Sequence, residues 1–180
     1  MMDHFHEEVV VKKGRVRRVL NDVLYMLSNV VMVICALLTF MMLSTLLSNF
    51  NFFILAFVLV NGAIAFLLFL YRDRLRTEYE YTFTNGDLDF AKVFNNQKRK
   101  TLGTMRVKNV DAFGPVNSEG FRKIINMPDL KHRNWFINRD ANLYYFYYQK
   151  ENAKNVIVLE PSDELVDLIK KYLPMGVYRA

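Results

Sequence analysis

The chain has one cysteine, Cys35, and it lies within an apolar run. No internal disulfide can staple the fold, which excludes a cysteine-rich extracellular scaffold. Beyond residue 71 there is no cysteine and a single histidine, His132, so no Cys–His or Ser–His–Asp set stands out for nucleophilic catalysis. Gly103, Gly114 and Gly120 are scattered, and neither G-x-G-x-x-G nor a Walker pattern occurs, so there is no phosphate-cradling loop. His4 and His6 beside Glu7 and Glu8 have no partner cluster elsewhere and are read as incidental surface residues, not metal ligands. No catalytic residue, metal or cofactor is expected, and the chain is not read as an enzyme. The longest absence is of charge: the 49 residues from Val23 to Tyr71 contain no Lys, Arg, Asp or Glu.

A bilayer core is crossed by about 20 apolar residues in a helix, so this stretch is too long for one span. Its middle, Leu47-Ser48-Asn49-Phe50-Asn51, is polar enough to turn. We read Val23–Leu47 and Phe52–Tyr71 as a transmembrane hairpin, preceded by a basic segment over 1–22. The apolar run is too long for a signal-peptide core and lacks a convincing cleavage site, so the first span is expected to stay. Val16, Val19, Leu20 and Val23 recur at helical spacing, which carries the basic segment helically into that span. Lys12, Lys13, Arg15, Arg17 and Arg18 precede the first span, and Arg72, Arg74 and Arg76 follow the second. The connecting turn has no Lys or Arg. The positive-inside rule then puts both termini in the cytoplasm of a multi-pass cell-membrane protein. With no ionisable residue in the spans, a proton relay or voltage sensor is disfavoured. Asn61 and Gly62 are read as packing residues, at the depth of Leu38 and Thr39, with the Asn61 amide bonding across to the first helix.

After Tyr71 the periodicity changes to that of strands. Tyr79, Tyr81 and Phe83 alternate within Glu78–Thr84, Asn85-Gly86 is a strong hairpin turn, and Leu88 and Phe90 continue the alternation over Asp87–Asn95. A second turn is read at 95–98, then strands at Thr101–Val107, Val110–Val116, Asn134–Asn138, Leu143–Lys150 and Asn155–Glu160. Residues 117–133 stay ambiguous, with Phe121, Ile124 and Ile125 hinting at one helical turn. Ser162 is the expected N-cap of a closing helix with Leu165, Leu168, Ile169 and Tyr172 on one face, ended by Pro174. Antiparallel strands followed by one amphipathic helix is the order of a pleckstrin-homology (PH)-like barrel or sandwich, here over 77–174. In layout, with Tyr79-Glu80-Tyr81-Thr82-Phe83-Thr84-Asn85-Gly86-Asp87-Leu88 and Leu159-Glu160-Pro161-Ser162, the chain resembles uncharacterised bacterial membrane proteins of the YcxB-like type. These join a two-helix hairpin to a PH-like cytoplasmic domain. The resemblance implies an α+β membrane protein and supplies no activity.

Three groups are candidate sites. The second strand of the domain should return towards the membrane, which makes Lys98, Arg99 and Lys100 candidates for lipid-headgroup contact. The first hairpin turn, Asn85-Gly86-Asp87, has no basic residue, against specific phosphoinositide recognition. Tyr144, Phe146 and Tyr148 share one face of an aromatic strand, with Leu143, Tyr145 and Tyr147 on the other. The first face is taken as a partner surface, the competing reading being a central strand covered on both sides. Lys131-His132-Arg133 before Trp135 is too short a basic stripe for nucleic acid, despite a net charge of +6 and a pI near 9.4. The expected role is a membrane-anchored, non-enzymatic module that binds membrane lipids, a protein partner or itself. The alternative is a small subunit of an oligomeric transporter or channel.

Overall fold

The computed structural model describes residues 4–179. The chain divides into two compact units. One is the helical stretch 13–77 together with residues 94–96; the other comprises residues 4–12, 78–93 and 97–179.

In the helical unit, α1 (Arg15–Ser48) and α2 (Phe52–Tyr71) form a hairpin. At about 1.5 Å per residue, the 20 residues of α2 rise about 30 Å. α1 runs further, so its basic first turns are helical, as the Val16–Val23 periodicity predicts. Asn51 begins α2 by accepting the Phe53 N–H at 2.8 Å. Neither helix has an amphipathic design. α2 buries no residue and α1 buries only Cys35, while Phe53 is 86% exposed and Phe40 76%. A 3-10 turn, Arg72–Arg76, follows α2. There Arg76 pairs with Asp22 at 2.8 Å and lies over the Tyr25 ring, and Arg72 donates to Asn29 Oδ1. The turn residue Asn95 joins this group, its backbone N–H donating to Arg76 O at 2.7 Å and its amide to the Tyr25 hydroxyl at 3.0 Å.

The second unit holds eight strands and two helices in an α+β arrangement. Its first sheet has the order β1 (Phe5–Val10), β2 (Thr77–Thr84), β3 (Asp87–Phe94), β4 (Lys98–Arg106). β1 was not foreseen. It comes from the stretch expected to be only a basic segment, and it pairs antiparallel with β2 from Phe5↔Thr84 to Val10↔Tyr79. The β2–β3 turn has φ of 50° at Asn85 and 97° at Gly86, both positive as the hairpin turn demands.

The second sheet has the order β5 (Ala112–Pro115), β7 (Tyr144–Lys150), β8 (Ala153–Leu159), β6 (Lys131–Trp135). β6 runs parallel to β8, so the expectation of an all-antiparallel domain is corrected. The cause is α3 (Glu119–Ile125), the segment left ambiguous by its sequence. Phe121 and Ile124 pack on Tyr145, Tyr147, Val156 and Val158, carrying the chain over the outer face so that β6 lands beyond β8. The two sheets remain separate, so the barrel is not closed.

Between the sheets lies one core built from Tyr81, Phe83 and Phe90 on one side and Phe113, Phe146 and Ile157 on the other. α4 (Asp163–Tyr172) seals it with Leu165, Val166 and Ile169, its N-terminus capped by Ser162 Oγ accepting the Leu165 N–H at 3.2 Å. Glu8 of β1 adds a second cap from afar, its carboxylate accepting the Ser162 N–H at 3.1 Å.

Candidate functional site

Aromatic alternation in β7 follows from its place inside the second sheet. Phe146 is fully buried in the inter-sheet core, and Tyr144 and Tyr148 pack against it. On the opposite face Tyr145 is fully buried under α3. The partner surface expected on Tyr144, Phe146 and Tyr148 is corrected at Phe146, which lies wholly inside the core; Tyr144 and Tyr148 are half-buried against it, and Tyr148 also lines the groove described below. Apolar residues on both faces marked a strand covered on both faces.

Lys98, Arg99 and Lys100 also move. They open the edge strand β4 instead of occupying the preceding turn, which is made by Asn95 and Asn96 with φ of 50° and 52°. All three are exposed, and Arg99 pairs with Glu80 at 2.7 Å. Cations on an edge strand also discourage edge-to-edge aggregation. In the hairpin, Gly62 sits against Thr39, where a Cβ would stand 3.6 Å from the threonine methyl. The Asn61 amide does not bond across; it donates to Phe57 O of its own helix at 3.0 Å. A carbonyl four residues back is already within reach in any helix, so no interhelical partner is needed. His4 and His6 are engaged within the domain, His4 with the Tyr172 hydroxyl at 2.8 Å and His6 with Glu8 at 3.3 Å.

A groove of about 360 Å³ opens where the sheets fail to join. Its floor is apolar, with Phe90, Trp135 and Ile157 almost wholly buried. β4 supplies one wall through Leu102 and Met105. Both pack on the core although three residues apart, which requires an extra residue between them. Gly103, at φ 152°, takes the conformation that this irregularity needs. Arg133 of β6 and Lys150 at the end of β7 stand at the mouth, and no carboxylate lines the groove.

Trp135 is held from behind by a buried polar network. Tyr81 donates its hydroxyl proton to Trp135 O and accepts the Glu160 N–H at 3.2 Å, while the Glu160 carboxylate accepts from Asn138 N–H at 3.0 Å. Burial holds the Tyr81 hydroxyl far above the ordinary phenol range, against the opposing pull of the Glu160 backbone. Arg133, Trp135 and Tyr148 stood out in the sequence, but the groove did not. Lys150, Leu102 and Met105 join them only through sheet packing.

The model of the bacterial PH-like domain family (DUF6106) matches residues 2–179, taking in β1, the helical hairpin and both sheets, and the chain belongs to that family. No curated protein and no solved structure matches it. The match does not extend to the narrower likeness to the YcxB-like type.

Proposed function

For this member of the bacterial PH-like domain family we propose a membrane-anchored, non-enzymatic binding module, its hairpin spanning the cell membrane and its PH-like domain held at the cytoplasmic face. The observation that carries this reading is the pairing of β1 with β2. One strand precedes the hairpin and the other follows it, so a spanning hairpin must leave both flanks on the same side. The basic flanks then assign that side to the cytoplasm. Apolar side chains exposed all along both helices need a hydrocarbon environment, since monomeric soluble proteins rarely expose such continuous apolar surface. Lys98, Arg99 and Lys100 are proposed to touch anionic headgroups, each contributing about 1 kcal/mol near such a surface. A partner protein or self-association is the other expected use of the domain.

The alternative, a subunit of an oligomeric transporter or channel, needs polar groups turned towards a wet interior. Ser28, Thr39, Ser44 and Asn61 instead spend their donors on carbonyls of their own helices, which favours the anchor.

The test is topology. In a Cys35→Ser background, Asn49→Cys in the inter-helix turn should react with an impermeant maleimide in intact cells, and Glu151→Cys in the domain only after lysis. The protein should resist alkaline carbonate extraction. Release by carbonate, or labelling at Glu151→Cys from outside, would overturn the reading.

A further inference from the structure

We propose that the open seam between β4 and β6 is a docking groove for an extended, acidic segment of a partner protein, taken up by strand addition. The inference deepens the binding-module reading and rests on it.

β4 ends the first sheet and β6 ends the second, so each has a neighbouring strand on one side only, and both line the groove. Such edges present rows of backbone donors and acceptors that another extended backbone satisfies. A competing edge, β5, is already covered by the C-terminal tail: Phe113 N–H donates to Val177 O at 3.1 Å and Arg179 N–H to Phe113 O at 2.8 Å. The tail thus shows on β5 the contact that β4 and β6 still lack.

Side chains of an extended strand alternate in direction, so a segment laid along the seam sends every second residue onto the Phe90–Trp135–Ile157 floor. Charge decides what the remaining residues are. Arg133 and Lys150 form no ion pair among the described residues, and Lys100 lies further along β4 with its charge exposed. Acidic side chains complement them. The remaining edge, β1, carries Glu7 and Glu8 and would repel the same segment. A lipid chain could cover the apolar floor, but it has no backbone to pair with the two edges.

Trp135 is the chain's only tryptophan and lies in the groove, so the native protein carries its own reporter. The full chain in phosphatidylcholine nanodiscs is titrated with a capped peptide of alternating Val and Glu while Trp135 fluorescence is followed. A saturable shift is expected. It should be absent with alternating Val and Lys, and about tenfold weaker in affinity when alternate peptide nitrogens are methylated. Arg133→Gln with Lys150→Gln should weaken the acidic peptide about three- to tenfold, the scale of two exposed charge contacts. No shift, equal response to both charge patterns, or no effect of N-methylation would overturn the proposal. A shift produced by phosphatidylglycerol nanodiscs without peptide, and not by peptide, would assign the groove to lipid and overturn it too. The maleimide and carbonate results are independent of this titration, so failure of the anchor and failure of the groove are told apart.

Discussion

In the helical hairpin, Ser28, Asn29, Thr39 and Asn61 each give their side-chain donor to a carbonyl four residues back. In the domain, Tyr81 reaches Trp135, 54 residues away, Asn138 reaches Val11 across 127, and Glu8 caps Ser162 across 154. The contrast is one of range. Helices whose apolar side chains stay exposed along their length satisfy these polar groups from their own backbone, as the proposed bilayer setting would require. The domain buries a polar network that distant segments meet to complete. Each region is therefore vulnerable to different substitutions.

The largest expected effect is at Phe146, fully buried between the sheets. Phe146→Ala should cost about 3–5 kcal/mol, enough to unfold the domain, whereas Phe53→Ala on the exposed surface of α2 should leave its thermal melting unchanged. A melt of the two variants in detergent reads both. Were Phe146→Ala to keep a native melt, the corrected reading of that face would have to be revisited.

Tyr81→Phe comes next. It leaves the Glu160 N–H and Trp135 C=O without their shared partner, a loss of about 1–3 kcal/mol visible in urea denaturation. The hairpin counterpart, Asn61→Leu, removes an amide that serves only its own helix and should leave detergent-resistant helicity intact by circular dichroism.

Gly86→Ala strains a φ of 97° and drives its new Cβ to 2.7 Å from the Tyr172 ring, which packs on Phe83. A cost of about 1–2 kcal/mol is expected, read as a lowered melting temperature, while Gly62→Ala meets Thr39 at ordinary contact distance and should be tolerated.

The smallest effect is a pH dependence. Burial, aided by the nearby Glu80 charge, raises the Glu78 carboxyl above its ordinary value. A raised carboxylate contributes stability that is full below the unfolded value and lost as pH rises through the folded one. Glu78→Gln should therefore melt slightly higher than the native chain at neutral pH. The two should converge as the pH falls below the ordinary carboxylate range, and a constant gap would argue against titration as the cause.

Much of the domain was legible because local rules decided it. Alternation fixed β2 and β3, Asn85-Gly86 fixed their turn, and the Leu165–Tyr172 spacing fixed α4 with Ser162 as its cap. β1 escaped notice because three of the six residues of Phe5–Val10 are exposed and two are glutamates, so its identity depends on β2 beside it. β6 was placed three residues late for the same reason: only Trp135 among its five residues is buried. Of the candidate site, Arg133, Trp135 and Tyr148 drew attention in the sequence, but the groove did not.

The sequence alone determined where the two long apolar helices lie, through an uncharged apolar stretch with a polar turn at its middle, and which residues alternate in the early strands. The tertiary structure decided that a strand from before the hairpin completes the sheet, and that Tyr145, Phe146 and Tyr147 of the aromatic run are core. It also decided that β4 and β6 are left open beside one another. The physical reason is range: periodicity and hydropathy act over a few residues. Edge pairing, face coverage and the parting of two sheets depend on segments tens of residues apart in the chain.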